Sequence, residues 1–408
     1  NFTLHKNVYS KEIVLNIIEQ RQYYNDSLEI CLDKSKYIVF TDIRVATDLN
    51  CVSYIQVKYN NLAYKNGDIM ELNSLNDIAN KMVEKGKGIL AADESAPTCK
   101  KRFDSINVES NELNRNIYRD MLFTSSGMEE FVSGVILFDE TIRQSTVKDK
   151  IAFTDYLKSL GVIPGIKVDK GAHPLAGSKD EKVTDGLDGL NERLKEYYDL
   201  GARFAKWRAV ITIGDSVPSN ACISVNAHGL ARYAALCQEN GLVPIVEPEI
   251  IMDGDHTIEE SFVVTEEVLH ATFYELYSQN VQLEGMILKP NMVLSGYDCS
   301  EQAGVEKVAE MTVTVLKRCV PSAVPGIAFL SGGQSDEDAT AHLNAMNQIL
   351  GDNRPWNLTY SYGRALQAPS LKAWSGETNN IPEAQKAFLK RAKLNSLASK
   401  GEYDSSME

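Results

Sequence analysis

The sequence lacks the spacing patterns of disulfide scaffolds, metal sites and dinucleotide-binding folds. Its seven cysteines show no CxxC or paired spacing, and an odd number favours reduced thiols. Its six histidines form no HxH or HExxH pair, so no metal-ligand cluster can be read from the sequence. A GxGxxG fingerprint is absent as well. We therefore predict a reduced protein that uses neither a metal nor a cofactor.

Long apolar runs and an excess of basic residues are also missing. No stretch approaches the roughly 20 apolar residues of a membrane span, and the N-terminus lacks the basic-then-apolar order of a signal peptide. The net charge of −14 argues against nucleic-acid or anionic-membrane binding. We predict a cytoplasmic protein with no nucleic-acid partner and no membrane insertion, in which a local basic cluster holds any anionic substrate.

The first 70 residues differ in pattern from the rest of the chain. Of all 408 residues, 43% are hydrophobic and 24% charged, which is enough for a large core. Residues 11–23 are suited to a helix, and residues 37–59 are rich in Val, Ile, Thr and Tyr, with strand-like runs. We predict an N-terminal extension over residues 1–70. An extra subdomain, a targeting or processing segment and a poorly ordered tail all remain open.

From Leu72 onward, short apolar runs of strand length alternate with segments of helical period. Eight runs recur, at residues 88–94, 131–138, 162–169, 202–210, 242–250, 284–290, 326–333 and 356–363. Helices are predicted at residues 111–123, 187–200, 221–239, 265–279, 299–318 and 336–350, with Ser335 as a cap of the last. This alternation predicts a (β/α)8 TIM barrel over residues 71–381, followed by a C-terminal helix and tail over 382–408. The competing doubly wound sheet lacks its glycine-rich fingerprint.

A single lysine, Lys289, ends the apolar run of Met286, Ile287 and Leu288, with a proline directly behind it. An ammonium that loses hydration there has a lowered pKa, and the neutral amine can attack a ketone. The alternative is that Lys289 reaches outward to a surface carboxylate. This segment alone does not decide between a Schiff-base lysine and a surface lysine.

Polar residues at the ends of seven runs decide in favour of a site. In a (β/α)8 barrel the active site lies at the C-terminal ends of the strands. The run ends carry Asp93, Glu94, Lys167, Asp169, Lys206, Arg208, Glu247, Glu249, Lys289, Ser331, Gly332, Gly333, Ser361 and Arg364. Residues two apart share one face of a strand, which pairs Lys206 with Arg208 and Glu247 with Glu249. Core packing does not explain so many charges, because buried charges are costly unless paired.

These residue types suit one kind of chemistry. Lys167, Lys206, Arg208 and Arg364, with the Ser-Gly-Gly loop at 331–333, can hold two anionic groups. Lys206, if it lies near Lys289, lowers the pKa of that lysine by like-charge repulsion. Asp93, Glu247 and Glu249 are available for proton transfers to and from an imine. We therefore predict an imine-forming carbon–carbon lyase that acts on a sugar phosphate without a metal.

Eight motifs resemble those of the class I fructose-bisphosphate aldolases, in the same order. They are GKGILAADES at 86–95, GIKVDKG at 165–171, FAKWR at 204–208, VPIVEPEI at 243–250, GDH at 254–256, LKPNMV at 288–293, FLSGGQS at 329–335 and SYGRALQ at 361–367. The resemblance runs from about Leu72 to Tyr403, roughly four-fifths of the chain. It implies cleavage of fructose 1,6-bisphosphate to dihydroxyacetone phosphate and glyceraldehyde 3-phosphate. Another Schiff-base barrel enzyme, such as a transaldolase, is the second candidate.

The resemblance also implies roles for the run-end residues. Lys289 becomes the Schiff-base nucleophile on the C2 ketone, Glu247 the general acid/base, and Asp93 the group that assists carbon–carbon cleavage. Glu249 and Lys206 then support the charge balance around the lysine. Lys167 and Arg208 lie nearby in the pocket. The implied C1-phosphate site comprises Ser331, Gly332, Gly333, Ser361, Gly363 and Arg364. The implied C6-phosphate end comprises Ser95, Thr98, Lys101 and Arg102, of which Arg102 is the preferred residue.

Assembly and further partners are implied by the same resemblance. The family forms homotetramers, and some members bind actin or acidic receptor tails. A basic groove of Lys101, Arg102, Lys206 and Arg208 is the sequence feature suited to such a partner. The family also carries a mobile tail that extends past the position of Tyr403 and ends in a tyrosine. Either a truncated or a different tail explains the sequence given, so Tyr403 is not assigned that role.

Overall fold

The computed structural model of this chain describes residues 43–45, 55–57, 68–352 and 354–408. It divides into two units, residues 1–69 and 70–408. In the first unit, the described residues form two antiparallel strands, β1 (Ile43–Val45) and β2 (Ile55–Val57). The helix predicted at residues 11–23 lies outside the described residues. The order of residues 1–70 and the predicted boundaries of the domains stay predictions.

Eight parallel strands close into a barrel in the second unit, as predicted. They are β3 (Gly88–Ala91), β4 (Val132–Leu137), β5 (Ile163–Lys167), β8 (Phe204–Ile211), β9 (Val243–Ile250), β10 (Ile287–Leu288), β11 (Gly326–Phe329) and β12 (Asn357–Tyr362). The pairing runs in chain order and returns from β12 to β3. Seven of the eight predicted runs contain one of these strands, and the run 202–210 ends one residue before the end of β8. The strands are almost wholly buried, which is why each one is a continuous apolar run in the sequence.

Helices form the outer layer of the barrel. They are α1 (Asp68–Met82), α2 (Ala96–Asp104), α3 (Glu112–Phe123), α4 (Asp139–Ile142), α5 (Phe153–Ser159), α6 (Leu190–Asp199), α7 (Asn220–Glu239), α8 (Ile258–Ser278), α9 (Val305–Cys319), α10 (Asp336–Leu350), α11 (Arg364–Trp374) and α12 (Ile381–Ala398). The predicted cap Ser335 is confirmed, because its side chain accepts a hydrogen bond from the Asp338 amide. Among the described helices none is long and apolar enough to span a membrane.

Three predicted helix starts differ from the structure by three residues or more. Helix α6 begins at Leu190 rather than at 187. Helix α8 begins at Ile258 rather than at 265, because Thr257 and Glu260 form a reciprocal capping box. Helix α9 begins at Val305 rather than at 299, since Gly304 takes the extended cap conformation. A hairpin that the sequence pattern does not predict follows β5 and is formed by β6 (Ala172–Pro174) and β7 (Lys182–Thr184).

One end of the barrel is filled by apolar side chains. Leu75, Ala79 and Met82 of α1 pack with inward-facing residues of the strands. Phe204 fills part of the interior, and a Cβ on Gly165 of the neighbouring strand would overlap its ring. Because α1 packs against this interior, the opposite end, where the strands finish, is where a ligand can enter.

Candidate active site

A cavity of about 790 Å³ opens at the C-terminal ends of the barrel strands. Every predicted site residue lines it. The predicted catalytic residues that line it are Asp93, Lys206, Glu247, Glu249 and Lys289. The predicted substrate-binding residues that line it are Arg102, Lys167, Arg208, Ser331, Gly332, Gly333, Ser361, Gly363 and Arg364. The structure therefore brings residues from seven strand ends to one cavity.

Lys289 follows the last residue of β10 and is buried, with 3% of its surface exposed. Its amide still donates to the Val246 carbonyl of β9 at 2.8 Å, while Pro290 has no amide to continue the strand. The side-chain Nζ lies 3.1 Å from Glu247 Oε1. The outward-reaching interpretation of Lys289 is therefore wrong, since the amine contacts a buried carboxylate inside the cavity.

Lys206 lies on the other side of the same carboxylate. Its Nζ is 2.7 Å from Asp93 Oδ2, 3.3 Å from Glu247 Oε2 and 3.9 Å from Asp169 Oδ2. Burial favours the neutral amine, but Asp93 and Glu247 outweigh it, so the pKa of Lys206 is raised above its usual value. Lys206 is therefore a fixed cation beside Asp93 and Glu247.

The two carboxylates that face these lysines stay ionised. Burial opposes ionisation of Asp93, but the charges of Lys206 and Lys289 hold its pKa well below the usual range. Burial likewise opposes ionisation of Glu247, and the same two lysines lower its pKa. Each carboxylate is therefore ready to accept a proton when a nearby ammonium loses its charge.

Glu249 pairs with Arg208 rather than with Lys206. Its carboxylate forms an ion pair with Arg208. The strand register explains the difference, because Lys206 lies opposite Ile245 and Arg208 lies opposite Glu247. Each cation reaches the carboxylate two positions further along β9, so Lys206 meets Glu247 and Arg208 meets Glu249.

Lys167, at the end of β5, is held by a carboxylate that the predicted site left out. Its Nζ lies 2.9 Å from Asp169 Oδ1. The second oxygen, Asp169 Oδ2, accepts from the Arg208 amide at 3.3 Å and lies 3.9 Å from Lys206. Asp169 therefore fixes the positions of three basic residues at this side of the cavity.

The Ser-Gly-Gly loop follows β11 and requires its glycines. Gly332 and Gly333 have φ of +55° and +94°, which residues with a Cβ rarely adopt. A Cβ on Gly333 would also overlap the Tyr297 hydroxyl and lie 3.0 Å from Arg364 Nη2. The loop, Tyr297 and the Arg364 guanidinium thus meet at one wall of the cavity.

Ser361, at the end of β12, contributes an unpaired hydroxyl to this wall. Its Oγ is buried and has no hydrogen-bond partner among the described residues. Buried polar atoms without a partner are rare in native structures. Since Ser361 lines the cavity with Gly363 and Arg364, oxygen atoms of an anionic ligand can provide the partner.

Arg102 is positioned by a buried ion-pair cluster. Glu94 forms ion pairs with Arg102 and with Arg119, whose side chain is 2% exposed. Burial opposes ionisation of Glu94, but Arg119 and then Arg102 outweigh it, and the pKa of the carboxyl is lowered. Because Arg119 alone balances the charge of Glu94, the positive charge of Arg102 remains available at the cavity wall.

Replacing Arg119 with methionine will destabilise the folded protein by about 3–5 kcal/mol, because it removes the buried cation of Glu94. The denaturant midpoint of each variant measures this change. Since the lowered pKa of Glu94 stabilises the fold above the usual carboxyl range, we expect the difference from the wild type to shrink as pH falls below that range.

Arg143 provides a matched control for this prediction. It also contacts two carboxylates, Asp139 and Glu196, but 42% of its side chain is exposed. Arg143→Met will therefore change stability by only about 0–1 kcal/mol. The double variant of Arg119→Met with Glu94→Gln will recover part of the loss. If Arg119→Met and Arg143→Met changed stability equally, burial of the ion pair would not be the cause of the loss.

Several residues of the site were missed from the sequence. Asp169 had a signal, because it lies two residues after Lys167 and so on the same side of the chain. Glu94 was noted at a run end but given no role. Tyr297, in the loop after β10, and Arg119, on α3, carry no motif that separates them from other surface or helical residues.

Comparisons with known proteins agree with the resemblance seen in the sequence. A family model described as "Glycolytic: Fructose-bisphosphate aldolase class-I" matches residues 74–408. A probable fructose-bisphosphate aldolase class 1 of Xanthomonas campestris pv. campestris is 58% identical over 335 residues, which cover 82% of this chain and 99% of that protein. The cytosolic fructose-bisphosphate aldolase 4 of Arabidopsis thaliana is 58% identical over 78% of this chain and 80% of its own.

A solved structure extends the agreement to the fold. The fructose-bisphosphate aldolase of Plasmodium falciparum, in complex with TRAP and a small-molecule inhibitor, is 50% identical, with a TM-score of 0.80. The match covers 83% of this chain and 97% of that one. This chain therefore belongs to the class I fructose-bisphosphate aldolases, which are carbon–carbon lyases.

Proposed function

We propose that the protein reversibly cleaves fructose 1,6-bisphosphate to dihydroxyacetone phosphate and glyceraldehyde 3-phosphate through a Schiff base on Lys289, without a metal, in glycolysis and gluconeogenesis. The observation that carries this proposal is the contact of 3.1 Å between Lys289 Nζ and Glu247 Oε1 inside a buried cavity. A surface lysine needs no such carboxylate. A nucleophilic lysine needs one, because its proton must leave before the amine can attack.

In the first steps, Glu247 accepts a proton from Lys289 and later donates it to the reaction intermediate. The Lys289 ammonium gives a proton to the Glu247 carboxylate, and the neutral amine attacks the C2 carbonyl to form a carbinolamine. Loss of the ammonium charge removes one of the interactions that lower the pKa of Glu247. The carboxylic acid then donates its proton to the carbinolamine hydroxyl, which leaves as water, and the iminium ion forms.

Carbon–carbon cleavage uses the iminium ion on Lys289, the carboxylate of Asp93 and the positive charge of Lys206. We assign Asp93 to accept the proton of the C4 hydroxyl as the C3–C4 bond breaks, with the bonding electrons taken up by the iminium ion. Lys206, 2.7 Å from Asp93 Oδ2, orients this carboxylate and stabilises its charge. Glu249 acts indirectly, because its ion pair with Arg208 fixes the Arg208 guanidinium at the cavity wall.

The two anionic ends of the substrate are assigned to two groups of residues that line the cavity. The wall of Ser331, Gly332, Gly333, Ser361, Gly363 and Arg364 is assigned to the C1 phosphate. Its unpaired Ser361 hydroxyl and its glycine loop supply donors, and Arg364 supplies charge. A second pair of basic residues, Arg102 and Lys167, is assigned to the C6 phosphate. A substrate with one phosphate leaves one of these two phosphate sites without a ligand.

An assay of the purified full chain tests this function. Cleavage of fructose 1,6-bisphosphate, coupled to reduction of the released dihydroxyacetone phosphate, will proceed with kcat in the ordinary range of about 1–10³ s⁻¹. EDTA will leave the rate within about twofold, because Lys289 rather than a metal activates the ketone. Lys289→Met protein prepared in the same way controls for contaminating enzyme. No cleavage, or loss of activity with EDTA, would refute the proposal.

The homotetramer, the cytoplasmic location and the binding of actin or acidic receptor tails remain proposals. The relatives from Arabidopsis thaliana described as cytosolic support the second, and the TRAP complex of the Plasmodium falciparum aldolase bears on the third. One part of the predicted basic groove is wrong, since Lys206 is only 3% exposed and contacts carboxylates. Lys101, which is exposed, is the groove residue best placed to meet an acidic tail.

A further inference from the structure

We propose that Glu266, His270 and Cys319 form a zinc-binding site on the outer layer of the barrel, between α8 and α9. A carboxylate oxygen, an imidazole nitrogen and the thiol Sγ of these residues all lie within 4.8 Å of one another. None of the three lines the cavity that holds Lys289. The site is therefore separate from the aldolase chemistry and from its substrate.

The two helices bring these groups together by their own geometry. Glu266 and His270 are four residues apart on α8, so their side chains project from the same face one turn apart. Cys319 is the last residue of α9, and its thiol donates to the Glu266 carbonyl at 3.7 Å. Two ligands from one helix and a third from its neighbour form a set that rigid elements hold in place.

The ligand types select the metal. Thiolate and imidazole are poor ligands for Mg²⁺ and Ca²⁺, which prefer oxygen, whereas Zn²⁺ binds sulfur, nitrogen and carboxylate oxygen in one tetrahedral site. Tetrahedral bonds of about 2.0–2.3 Å place ligand atoms roughly 3.3–3.8 Å apart. The three ligand atoms must therefore come about 1 Å closer to one another. The His270 side chain can make this movement because it is exposed. Water can complete the fourth position.

Arg318 supports the site rather than blocking it. Its Nη1 lies 3.1 Å from Glu266 Oε1 and 3.3 Å from Oε2, and its guanidinium lies over the Phe262 ring at 5.2 Å. A carboxylate has two oxygens, so one can bind the metal while the other accepts from Arg318. Such outer hydrogen bonds orient the groups that coordinate a metal. On binding, Cys319 releases its thiol proton and coordinates as the thiolate.

The site would also join two helices that hold the segment after Lys289. Thr265, next to Glu266, accepts from Asn291 at 3.3 Å, and Thr312 of α9 accepts from the Val293 amide at 2.9 Å. A metal between α8 and α9 therefore ties together two supports of that segment. We expect binding to raise the unfolding midpoint, since an ion that binds the folded chain stabilises it by mass action.

Titration of the full chain with Co²⁺ under reducing conditions tests the proposal, because Co²⁺ replaces Zn²⁺ and absorbs light through a thiolate bond. We expect one thiolate-bound Co²⁺ ion from this site, which Zn²⁺ displaces. Cys319→Ser will remove the thiolate absorption, and His270→Ala will weaken binding by more than about 100-fold, beyond the effect of losing an outer hydrogen bond. Cys299→Ser, at a partly exposed cysteine outside the cluster, is the matched control and will bind as the wild type does.

Three outcomes would overturn the site. They are an absence of thiolate absorption with Co²⁺, absorption that persists in Cys319→Ser, and binding unchanged in His270→Ala. The His270 variant keeps the test decisive if Cys319→Ser folds poorly, because His270 is exposed and its removal leaves the packing intact. Zn²⁺ must also raise the unfolding midpoint of the wild type and not that of His270→Ala. These measurements do not use aldolase activity, so this proposal and the proposed function fail independently.

Discussion

Lys289→Met will abolish cleavage of fructose 1,6-bisphosphate, with a fall in kcat on the order of 10⁶-fold, the size seen when a covalent nucleophile is removed. Methionine is close to lysine in length and is apolar, so it fills the same buried position without an amine. Glu247 keeps Lys206 as a partner at 3.3 Å, so the substitution does not leave that carboxylate alone. The loss will therefore be in chemistry rather than in folding.

Steady-state kinetics and an unfolding curve on the same preparation check this prediction. Lys158→Met is the matched control, because Lys158 is an exposed lysine of α5 outside the cavity. It will keep both the activity and the stability of the wild type. If Lys289→Met retained more than about 1% of the wild-type kcat while remaining folded, another residue would have to carry the reaction.

Glu247→Gln will lower kcat by about 10²–10⁴-fold, the usual contribution of a general acid/base. Glutamine has nearly the same shape as glutamate but neither accepts the Lys289 proton nor returns it to the carbinolamine. The substrate phosphates lie elsewhere in the proposed binding mode, so KM will change much less than kcat. Because the fall is in proton transfer, it will appear in the steps that form the imine.

Glu249→Gln is the matched control, since Glu249 lies two residues away on β9 and pairs with Arg208 rather than with Lys289. Its kcat will fall by less than that of Glu247→Gln. In the wild type, the lowered pKa of Glu247 keeps the carboxylate charged as pH falls, so activity will persist below the usual pKa range of a glutamate and be lost only at more acid pH. Equal losses in the two variants would remove the special role of Glu247.

The barrel can be predicted from the sequence because each strand is buried on both sides. In β4, all six residues are buried, and an uninterrupted apolar run follows directly. The starts of α8 and α9 are harder to predict, since they depend on local cap geometry at Thr257 and Gly304 rather than on hydrophobic period. The shortest strand, β10, was found because Pro290 ends it visibly.

The candidate site can be predicted as a set of positions but not as a set of contacts. Residues at the C-terminal ends of parallel strands meet at one mouth, which explains why every predicted site residue lines the cavity. Which carboxylate pairs with which cation depends on the register between β8 and β9. That register pairs Arg208 rather than Lys206 with Glu249, and the spacing of residues within one strand contains no information about it.

Contacts between distant parts of the chain account for the rest. Arg119 neutralises Glu94 from α3, and Tyr297 meets Gly333 from a separate loop. The proposed zinc ligands come from two helices, with Glu266 and His270 far from Cys319 in sequence, so no compact motif predicts them. In each case the residues become neighbours only through the packing of helices and loops around the barrel.

In the proposed mechanism, Lys289 forms the covalent bond to the substrate. Borohydride reduction in the presence of fructose 1,6-bisphosphate or dihydroxyacetone phosphate, followed by peptide mapping by mass spectrometry, tests it most directly. We expect one stable adduct per chain, on Lys289, absent without substrate and absent in Lys289→Met. Modification of a different lysine, or full activity with no trapped adduct, would contradict it.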